Sequence, residues 1–495
     1  MQSRVTPVTP SPRLALLAAS LGFVIVCLDV TVVNVALARI RASLAIDATG
    51  LEWVVNAYTL AFASLLLSAG ALADRLGARR VFVSGFAIFT VASVGCALSA
   101  NGATLIVARV LQGVGAALCV PSSLALLGAA FPESRSRARA VSIWAGTAAL
   151  ALGAGPLVGG MLVDRFGWAS IFLINVPVGV AGIWLTLAHA PDTVRHAARH
   201  LDLLGQALAV VALAALAYAV VEGGRLGWTS PAVLGLFALA LAAGALFVMV
   251  EARQAQPLLP LALFRESVVN VSALTGMSLN FGYYGLMFAM SLFFQGVRHD
   301  TPLEAGLAFL PMTAVVTVAN VVSGALNARF GYRLSMIGGQ VLASAGYVSL
   351  AFVHAQSSAL AISAPLFAVG VGVAFAVPAI NTAVLAHVEP TSIGIASGVL
   401  NTARQIGGML GVGIFGSLVS AAPHGLVHGL HIAVVLAALL TMATALAALF
   451  GLKSRCPPNS LPDSLPNSSP AHSTRKPRSR ISGTTRSQKN GNSSA

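Results

Sequence analysis

The sequence predicts an all-α protein that crosses a membrane many times. Of its 495 residues, 57% are hydrophobic and only 9% are charged. A soluble protein carries about a quarter charged residues, so this chain has too few to cover a surface facing water. Apolar stretches recur along the chain, and with about 20 residues each is long enough to cross the hydrocarbon layer as a helix.

Fourteen apolar stretches can be placed, which makes the predicted fold a 14-span polytopic membrane protein. The even number puts both termini on the same side of the membrane. The predicted spans are 14–37, 51–73, 81–100, 103–130, 140–163, 170–189, 203–222, 231–250, 268–294, 305–327, 334–353, 358–386, 393–420 and 430–452.

The basic residues are divided unevenly between the two sides of the predicted membrane. The segments on the side of the termini carry 22 of the 29 Lys and Arg residues, and the opposite loops carry five. Loops rich in Lys and Arg stay in the cytoplasm. We therefore expect a multi-pass protein of the cytoplasmic (inner) membrane with both termini cytoplasmic, and we attribute the basic charge to topology and not to nucleic-acid binding.

The polar tail from residue 453 onward holds every lysine of the chain, Lys453, Lys476 and Lys489. Its Ser, Pro, Asn and Arg content is typical of disorder. Because every lysine lies in this tail, the helical body lacks the Gly-Lys-Ser/Thr ending of a P-loop. Any uphill transport must draw on an ion gradient or on a separate subunit, and we expect no cofactor and no metal.

Two segments of the chain repeat in the same order. Residues 70–79 match residues 324–333 at an offset of 254, and residues 113–121 match residues 370–378 at an offset of 257. Each copy of the first pattern lies between the second and third span of a six-span half. The body is therefore predicted to consist of two related six-helix bundles with two inserted helices, which we expect on the outside.

This arrangement sets the predicted domain boundaries. They are a cytoplasmic N-terminus at 1–13, an N-terminal six-helix bundle at 14–189, a linker with two extra helices at 190–267, a C-terminal six-helix bundle at 268–452 and a disordered basic cytoplasmic tail at 453–495.

Five short patterns of residues lie in or next to the predicted spans of the first half. One lies in the first span, one in the loop after the second, and one each in the fourth, fifth and sixth spans. Their residues are Asp29, Thr31 and Asn34; Gly70, Asp74, Arg75, Gly77, Arg79 and Arg80; Arg109, Gln112, Gly113 and Gly115; Gly155, Pro156, Gly159 and Gly160; and Trp168, Phe172, Asn175 and Pro177.

These patterns resemble the motifs of the major facilitator superfamily, and the layout of six, two and six spans resembles its 14-span drug:proton antiporters. The resemblance covers residues 14–452 and implies the major facilitator fold, with a substrate site between the two halves. It also implies a multidrug or antibiotic exporter. The second loop copy departs from the first, since Ala328 stands where the first has Asp74.

Asp29 is the only carboxylate that we place well inside a span. A charge in the membrane is costly unless it contacts water or a counter-ion. A carboxylate at this position therefore indicates a functional role. We expect Asp29 to couple transport to protons, with Arg109 as a fixed charge because arginine keeps its proton. The alternative is a carboxylate paired permanently with an arginine for structural reasons.

Two glycine-containing patterns predict moving parts. The loop from Gly70 to Arg80 is interpreted as a gate, because a topology signal alone would need its arginines but not its spaced glycines. At Gly155 and Pro156 the proline removes a backbone hydrogen bond and the glycines allow a second helix to approach closely. We expect a bend or pivot there.

Polar and aromatic residues within the spans are candidates for the walls of a substrate cavity, although packing is an alternative for each. With Asp29 against Arg109 and Arg404, the spans hold one acid and two bases, which favours a neutral or weakly acidic substrate. The candidates are Asn34, Trp53, Asn56, Tyr58, Gln112, Asn280, Tyr283, Tyr284, Asn381, Asn401, Arg404 and Gln405.

The leading hypothesis is therefore a secondary transporter that exports small, mostly apolar compounds in exchange for protons by alternating access. A metabolite-specific proton-coupled transporter is an alternative, as is a non-transporting membrane sensor or scaffold. An enzyme is disfavoured because the chain contains no HExxH or GxSxG pattern. The expected partners are a small-molecule substrate, protons and the lipid bilayer, and we expect a monomer.

Overall fold

The computed structural model describes residues 11–193, 202–254, 257, 259–388, 393–421 and 425–452. These ranges are almost entirely helical, and no strand occurs in them. Most of the predicted N-terminal segment, part of the predicted linker and nearly all of the predicted basic tail lie outside the described residues.

In the residues that the structure describes, the first half and the inserted pair contain nine helices. They are α1 (Pro12–Leu44), α2 (Ala48–Leu76), α3 (Ala78–Ala97), α4 (Gly102–Ala130), α5 (Ser134–Phe166), α6 (Ser170–Leu173), α7 (Asn175–His189), α8 (Leu203–Leu226) and α9 (Pro231–Glu251).

The second half follows a short 3-10 turn at Leu261–Arg265. A wide π-helical turn at Phe293–Val297 continues its first helix. Its helices are α10 (Ser267–Leu292), α11 (Pro302–Ala308), α12 (Leu310–Phe330), α13 (Tyr332–Leu350), α14 (Ala359–His387), α15 (Ile393–Ala421) and α16 (Leu426–Gly451).

Within the described ranges, 12 helical segments are long and apolar enough to cross a membrane. The helices α13 and α15 lie where the eleventh and thirteenth spans were predicted, but neither is among the 12. In α15 the polar residues Arg404 and Gln405 reduce the apolar character of the helix. The all-helical membrane fold is confirmed, while the count of 14 spans stays a prediction.

Proline marks the places where predicted spans divide. The predicted span 170–189 breaks between α6 and α7, with Pro177 in the first turn of α7. Pro302 begins α11, and Pro311 lies in the first turn of α12. A helix can start at proline without losing a hydrogen bond, because its first backbone N–H groups have no partner within the helix.

The sequence repeat is reproduced in three dimensions by two arginines, 254 positions apart. Arg79 donates to the carbonyl oxygen of Leu187 in the last helix of the first half. Arg333 donates to the carbonyl oxygen of Leu449 in the last helix of the second half. The two halves therefore share a local architecture and not only a pattern of letters.

The second repeated pattern, residues 113–121 and 370–378, also has the same local geometry in both halves. A side chain on Gly113 would overlap the backbone of Tyr58, and one on Gly370 would overlap the backbone of Met312. Tyr58 and Met312 are again 254 positions apart. The paired glycines thus allow the fourth helix of each half to pack closely against the second.

Helices of the first half pack directly against helices of the second half. Helix α2 packs against α15, helix α5 packs against α11 and α12, and α1 contacts α10. We call the side at which α1 begins the terminal face and the opposite side the far face. Near the far face, Ser291 donates to the carbonyl oxygen of Asn34 at 2.5 Å and Gln295 donates to that of Val35 at 3.0 Å.

The two helices of the inserted pair, which we expected on the outside, differ in how far other helices cover them. Helix α9 is almost wholly exposed to its surroundings. Helix α8 instead contacts both α2 and α15 and therefore covers the seam between the two halves. Small residues of α8, such as Ala217 and Ala219, are fully buried there, which allows this close approach.

Candidate functional site

The centre of the first half holds a buried ion pair between α1 and α4. Nη1 of Arg109 lies 2.5 Å from Oδ2 of Asp29, and each side chain is only 1% exposed. Asp29 is near the middle of its helix, as expected from the sequence. The structure thus brings together the two residues predicted to act in proton coupling.

Gln112 completes a three-residue network around the Asp29 carboxylate. Its Nε2 donates to Oδ1 of Asp29 at 2.8 Å, while its Oε1 accepts from Arg109 at 2.7 Å. Arg109 and Gln112 are one helical turn apart and share a face of α4, so both reach Asp29. Both carboxylate oxygens therefore have a donor from α4.

A second group of side chains holds this network in position. Nε of Arg109 donates to the carbonyl oxygen of Val54 at 2.9 Å, and the guanidinium lies 4.4 Å from the centre of the Tyr58 ring. Ser93 accepts from Gln112 at 3.0 Å and from Asn175 at 3.3 Å. Sequence reasoning missed Ser93, because a serine in an apolar span carries no signal of its own.

The glycine motif of α5 packs on two helices at once. A side chain on Gly155 would overlap Thr31 of α1, and one on Gly159 would lie 3.1 Å from the carbonyl oxygen of Val32. One on Gly160 would lie 2.5 Å from the carbonyl oxygen of Pro302. The motif therefore lies between the helix that carries Asp29 and the second half. Pro156 stands inside the continuous helix α5.

The predicted gate, residues 70–80, is not a loop but comprises the last two turns of α2, the single linking residue Gly77 and the start of α3. Gly77 ends α2 with φ +94°, a conformation that favours glycine. The next amide, that of Ala78, donates to Oγ1 of Thr193 at 2.7 Å, and Arg79 forms a 3.1 Å ion pair with Asp192. The gate thus contacts the end of the first half. Gly70 and Asp74 are half-buried, and Arg75 and Arg80 are exposed.

A narrow cleft lies between the two halves. Three of the predicted substrate contacts, Asn34, Tyr284 and Gln405, line it. The full lining is Val30, Asn34, Val55, Thr59, Tyr284, Gln405, Gly408 and Val412.

The other predicted substrate contacts lie elsewhere. Trp53 packs against Tyr218 of α8, and Tyr58 and Gln112 belong to the Asp29 network. Asn56 is fully buried at the seam with α8 and α15.

In the second half, Asn280 and Tyr283 are buried. Asn381 and Asn401 are exposed, and Arg404 is half-buried with its aliphatic stem against Gly276. The predicted contacts are therefore spread over the cleft, the network, the seam and the surface.

The family model of the Major Facilitator Superfamily matches residues 19–412 of this chain. The chain belongs to the Major Facilitator Superfamily. It is therefore a multi-pass membrane transporter, and this major facilitator has its Asp29 network, its glycine motif and its predicted gate within the matched residues.

Curated relatives of this major facilitator are named for drug resistance. It is 41% identical over 399 residues to the Methylenomycin A resistance protein of Streptomyces coelicolor, covering 81% of this chain and 84% of the relative. It is 39% identical over 408 residues to the Multidrug resistance protein Stp of Mycobacterium tuberculosis, covering 82% and 76%. The Tetracenomycin C resistance and export protein of Streptomyces glaucescens is 33% identical over 411 residues, covering 83% and 76%.

Solved structures agree on the fold. A bacterial homologue of the human lysosomal transporter Spinster superposes with a TM-score of 0.64 at 18% identity, covering 90% of this chain and 99% of that one. The human organic anion transporter MFSD10 superposes with a TM-score of 0.61 at 15% identity, covering 89% and 100%.

Proposed function

We propose that this major facilitator exports small, mostly apolar compounds, such as antibiotics, in exchange for protons by alternating access. Its relatives named for methylenomycin A resistance, multidrug resistance and tetracenomycin C export support this proposal. The relatives suggest the class of cargo, and the Asp29 network supplies a means of coupling.

The single observation that carries the proton coupling is the position of Asp29, buried at 1% exposure and bound to Arg109 and Gln112. A proton on this carboxylate would remove its charge and with it the attraction to Arg109. Arg109 keeps its bond to Val54 and its contact with Tyr58. Protonation therefore loosens α1 from α4 without leaving the guanidinium unpartnered.

Loosening α1 affects the contact between the halves, because α1 packs on both α5 and α10. Thr31 and Val32, next to Asp29, lie against Gly155 and Gly159, while the neighbouring Gly160 contacts Pro302 of the second half. A change at Asp29 is thereby transmitted to the seam that opens and closes the cleft. As this seam opens and closes in turn, the substrate is released on one face and the proton on the other.

The charge of the central region favours a neutral or weakly acidic substrate. The Asp29 charge is neutralised by Arg109, whereas Arg404 forms no ion pair with any residue that the structure describes. The titratable groups that act on it through space are Tyr284 and Cys27. An uncompensated guanidinium attracts an acidic group and repels a cation.

We further propose that the protein acts as a monomer, with both termini in the cytoplasm. The basic loop residues Arg75, Arg79 and Arg80 lie at the terminal face, where the positive-inside rule expects the cytoplasm. Cysteines introduced at exposed positions of this loop are then expected to react only with reagents that reach the cytoplasm.

The deciding experiment measures uptake of a compound panel into inverted vesicles, with pH and sodium gradients imposed separately. A pH gradient alone is expected to drive uptake, and Asp29→Asn is expected to abolish it while the protein remains inserted. Asp164→Asn is the matched control, since Asp164 is exposed at the end of α5. Normal gradient-driven uptake by Asp29→Asn refutes the role of Asp29, and uptake driven only by sodium refutes proton coupling.

A further inference from the structure

Glu52 is a second buried carboxylate, which sequence reasoning placed at a helix end and left without a function. It lies in the second turn of α2 and is only 1% exposed. Its Oε2 atom has no hydrogen-bond partner among the described residues. A carboxylate in this condition is costly to keep ionised.

Three helices enclose Glu52. It belongs to α2 of the first half. From α15 of the second half, a side chain on Gly416 would lie 2.6 Å from Oε1 of Glu52. Helix α8 of the inserted pair covers the same seam. Glu52 is therefore covered in part by the second half, at the seam between the two halves near the far face.

Among the described residues, the charged groups around Glu52 offer it no counter-ion. Those that act on it through space are Glu222 of α8 and Asp47 at the start of α2, and both are acidic. The cation of α8 in this region, Arg225, is bound to Glu222 at 2.7 Å. From α15, Gly416 and Ser417 are present, and neither titrates.

The surrounding polar groups are also incompletely paired. Asn56, one turn along α2, is fully buried, and neither its Oδ1 nor its Nδ2 has a partner in the described residues. The same holds for Oγ of Ser417. A side chain on Gly413 would lie 3.5 Å from Nδ2 of Asn56, so this polar group is enclosed by α15 as Glu52 is.

We propose that Glu52 is a second proton-binding site, and that the seam between α2 and α15 closes only when Glu52 carries a proton taken from the solution on the far face. An ionised Glu52 would be sealed beside Glu222 with no cation, which disfavours closure. When the seam opens, the carboxylate meets water and returns its proton to the same side. This proton does not cross the membrane, so Glu52 is a latch and Asp29 the coupling group.

The latch gives helix α8 a role. Its Glu222–Arg225 pair forms the wall that faces Glu52, and pairing with Glu222 keeps Arg225 from neutralising Glu52. The inference rests on the proposed alternating access, but it concerns a different residue and a different proton.

The test measures distances across the far face of the full-length protein in lipid nanodiscs as the pH is varied. Spin labels are placed by Ser43→Cys on α1 and Ser420→Cys on α15, both exposed, in a background with Cys456→Ser. The three other cysteines are buried. In the otherwise unchanged protein the ratio of open to closed seam is expected to rise with pH, by up to about tenfold per pH unit for one linked proton.

Glu52→Gln, which cannot ionise, is expected to remain closed over the whole pH range. Glu52→Asp, which can ionise, is expected to retain the dependence and shows that the site tolerates substitution. Glu304→Gln is the matched control. Glu304 is exposed on α11, and the Thr301 backbone N–H, 2.8 Å away, lowers the pKa of Glu304.

A Glu52→Gln protein with the same pH profile as the unchanged protein overturns the latch, as does an unchanged protein without any pH-dependent distance change. Proton coupling is judged separately, by gradient-driven uptake in vesicles and by Asp29→Asn. Failure of the latch and failure of the proposed transport function are therefore recorded in different measurements.

Discussion

Asp29 and Arg109, which are 80 positions apart in the chain, form an ion pair of 2.5 Å with both side chains almost completely buried. Such a pair gains little over an apolar pair of the same volume, because both charges must first lose their hydration. Loss of one partner is a different matter, since the remaining charge is then buried alone.

We therefore expect Arg109→Gln to lower the free energy of unfolding by about 3–5 kcal/mol. The double variant Asp29→Asn with Arg109→Gln is expected to recover most of this stability without recovering gradient-driven transport. Thermal unfolding in detergent and uptake into vesicles measure the two effects. If Arg109→Gln alone is as stable as the unchanged protein, the pair is not the buried charge pair that we describe.

The contact of Gly160 with Pro302 predicts that α5 must approach the second half closely. In Gly160→Ala the added methyl group would lie 2.5 Å from the Pro302 carbonyl oxygen. Overpacking of this kind typically costs about 1–3 kcal/mol, which here disfavours the closed far face. We expect slower transport and a wider spin-label distance across the far face.

Gly146→Ala is the control for this variant, because Gly146 lies in the same helix and has no atom within 4 Å of an added side chain. It is expected to leave transport unchanged. Equal effects of the two substitutions would argue against a specific role of the seam.

The turns at Gly77 and Gly331 predict matched losses of stability. Both glycines have positive φ, +94° and +82°. Positive φ combined with their extended ψ, 129° and 158°, costs other residues roughly 1–3 kcal/mol, so Gly77→Ala and Gly331→Ala are each expected to destabilise by about that amount. Gly128→Ala, in the last turn of α4 where no described atom lies within 4 Å of an added side chain, is expected to cause no loss. Unfolding in detergent distinguishes these outcomes.

We expect the charge of Arg404 to determine how strongly the transporter prefers weakly acidic over neutral compounds. We expect Arg404→Gln to reduce transport of weakly acidic compounds at least about tenfold, which is the loss of 1.4 kcal/mol of binding, while neutral compounds are affected little. Arg404→Lys is expected to keep part of the preference, because it retains the charge. Equal losses for acidic and neutral compounds would assign Arg404 to helix packing.

Much of the fold could be predicted from residue type and spacing. Long apolar stretches have few stable solutions other than membrane helices, and the repeat at residues 70–79 and 324–333 predicted a shared local geometry that Arg79 and Arg333 confirm. The breaks near Pro177 and Pro311 were not predicted, because a proline inside an apolar stretch can either begin a helix or stand within one, as Pro156 does.

The Asp29 network was only partly predictable. An acid and an arginine inside spans were expected to matter, and the spacing of Arg109 and Gln112 placed them on one face of their helix. Nothing in the pattern indicated Ser93, because its contribution depends on which helix lies next to α4.

The sequence alone thus determined the membrane-spanning class, the duplication and the identity of one buried acid, since these follow from composition and from distances along a single helix. Only the tertiary structure decided the burial of Glu52, because residues more than 150 positions away, on α8 and α15, cover it. Burial is a property of what packs on a residue, and a helix end is exposed or sealed according to neighbours that the local sequence does not contain.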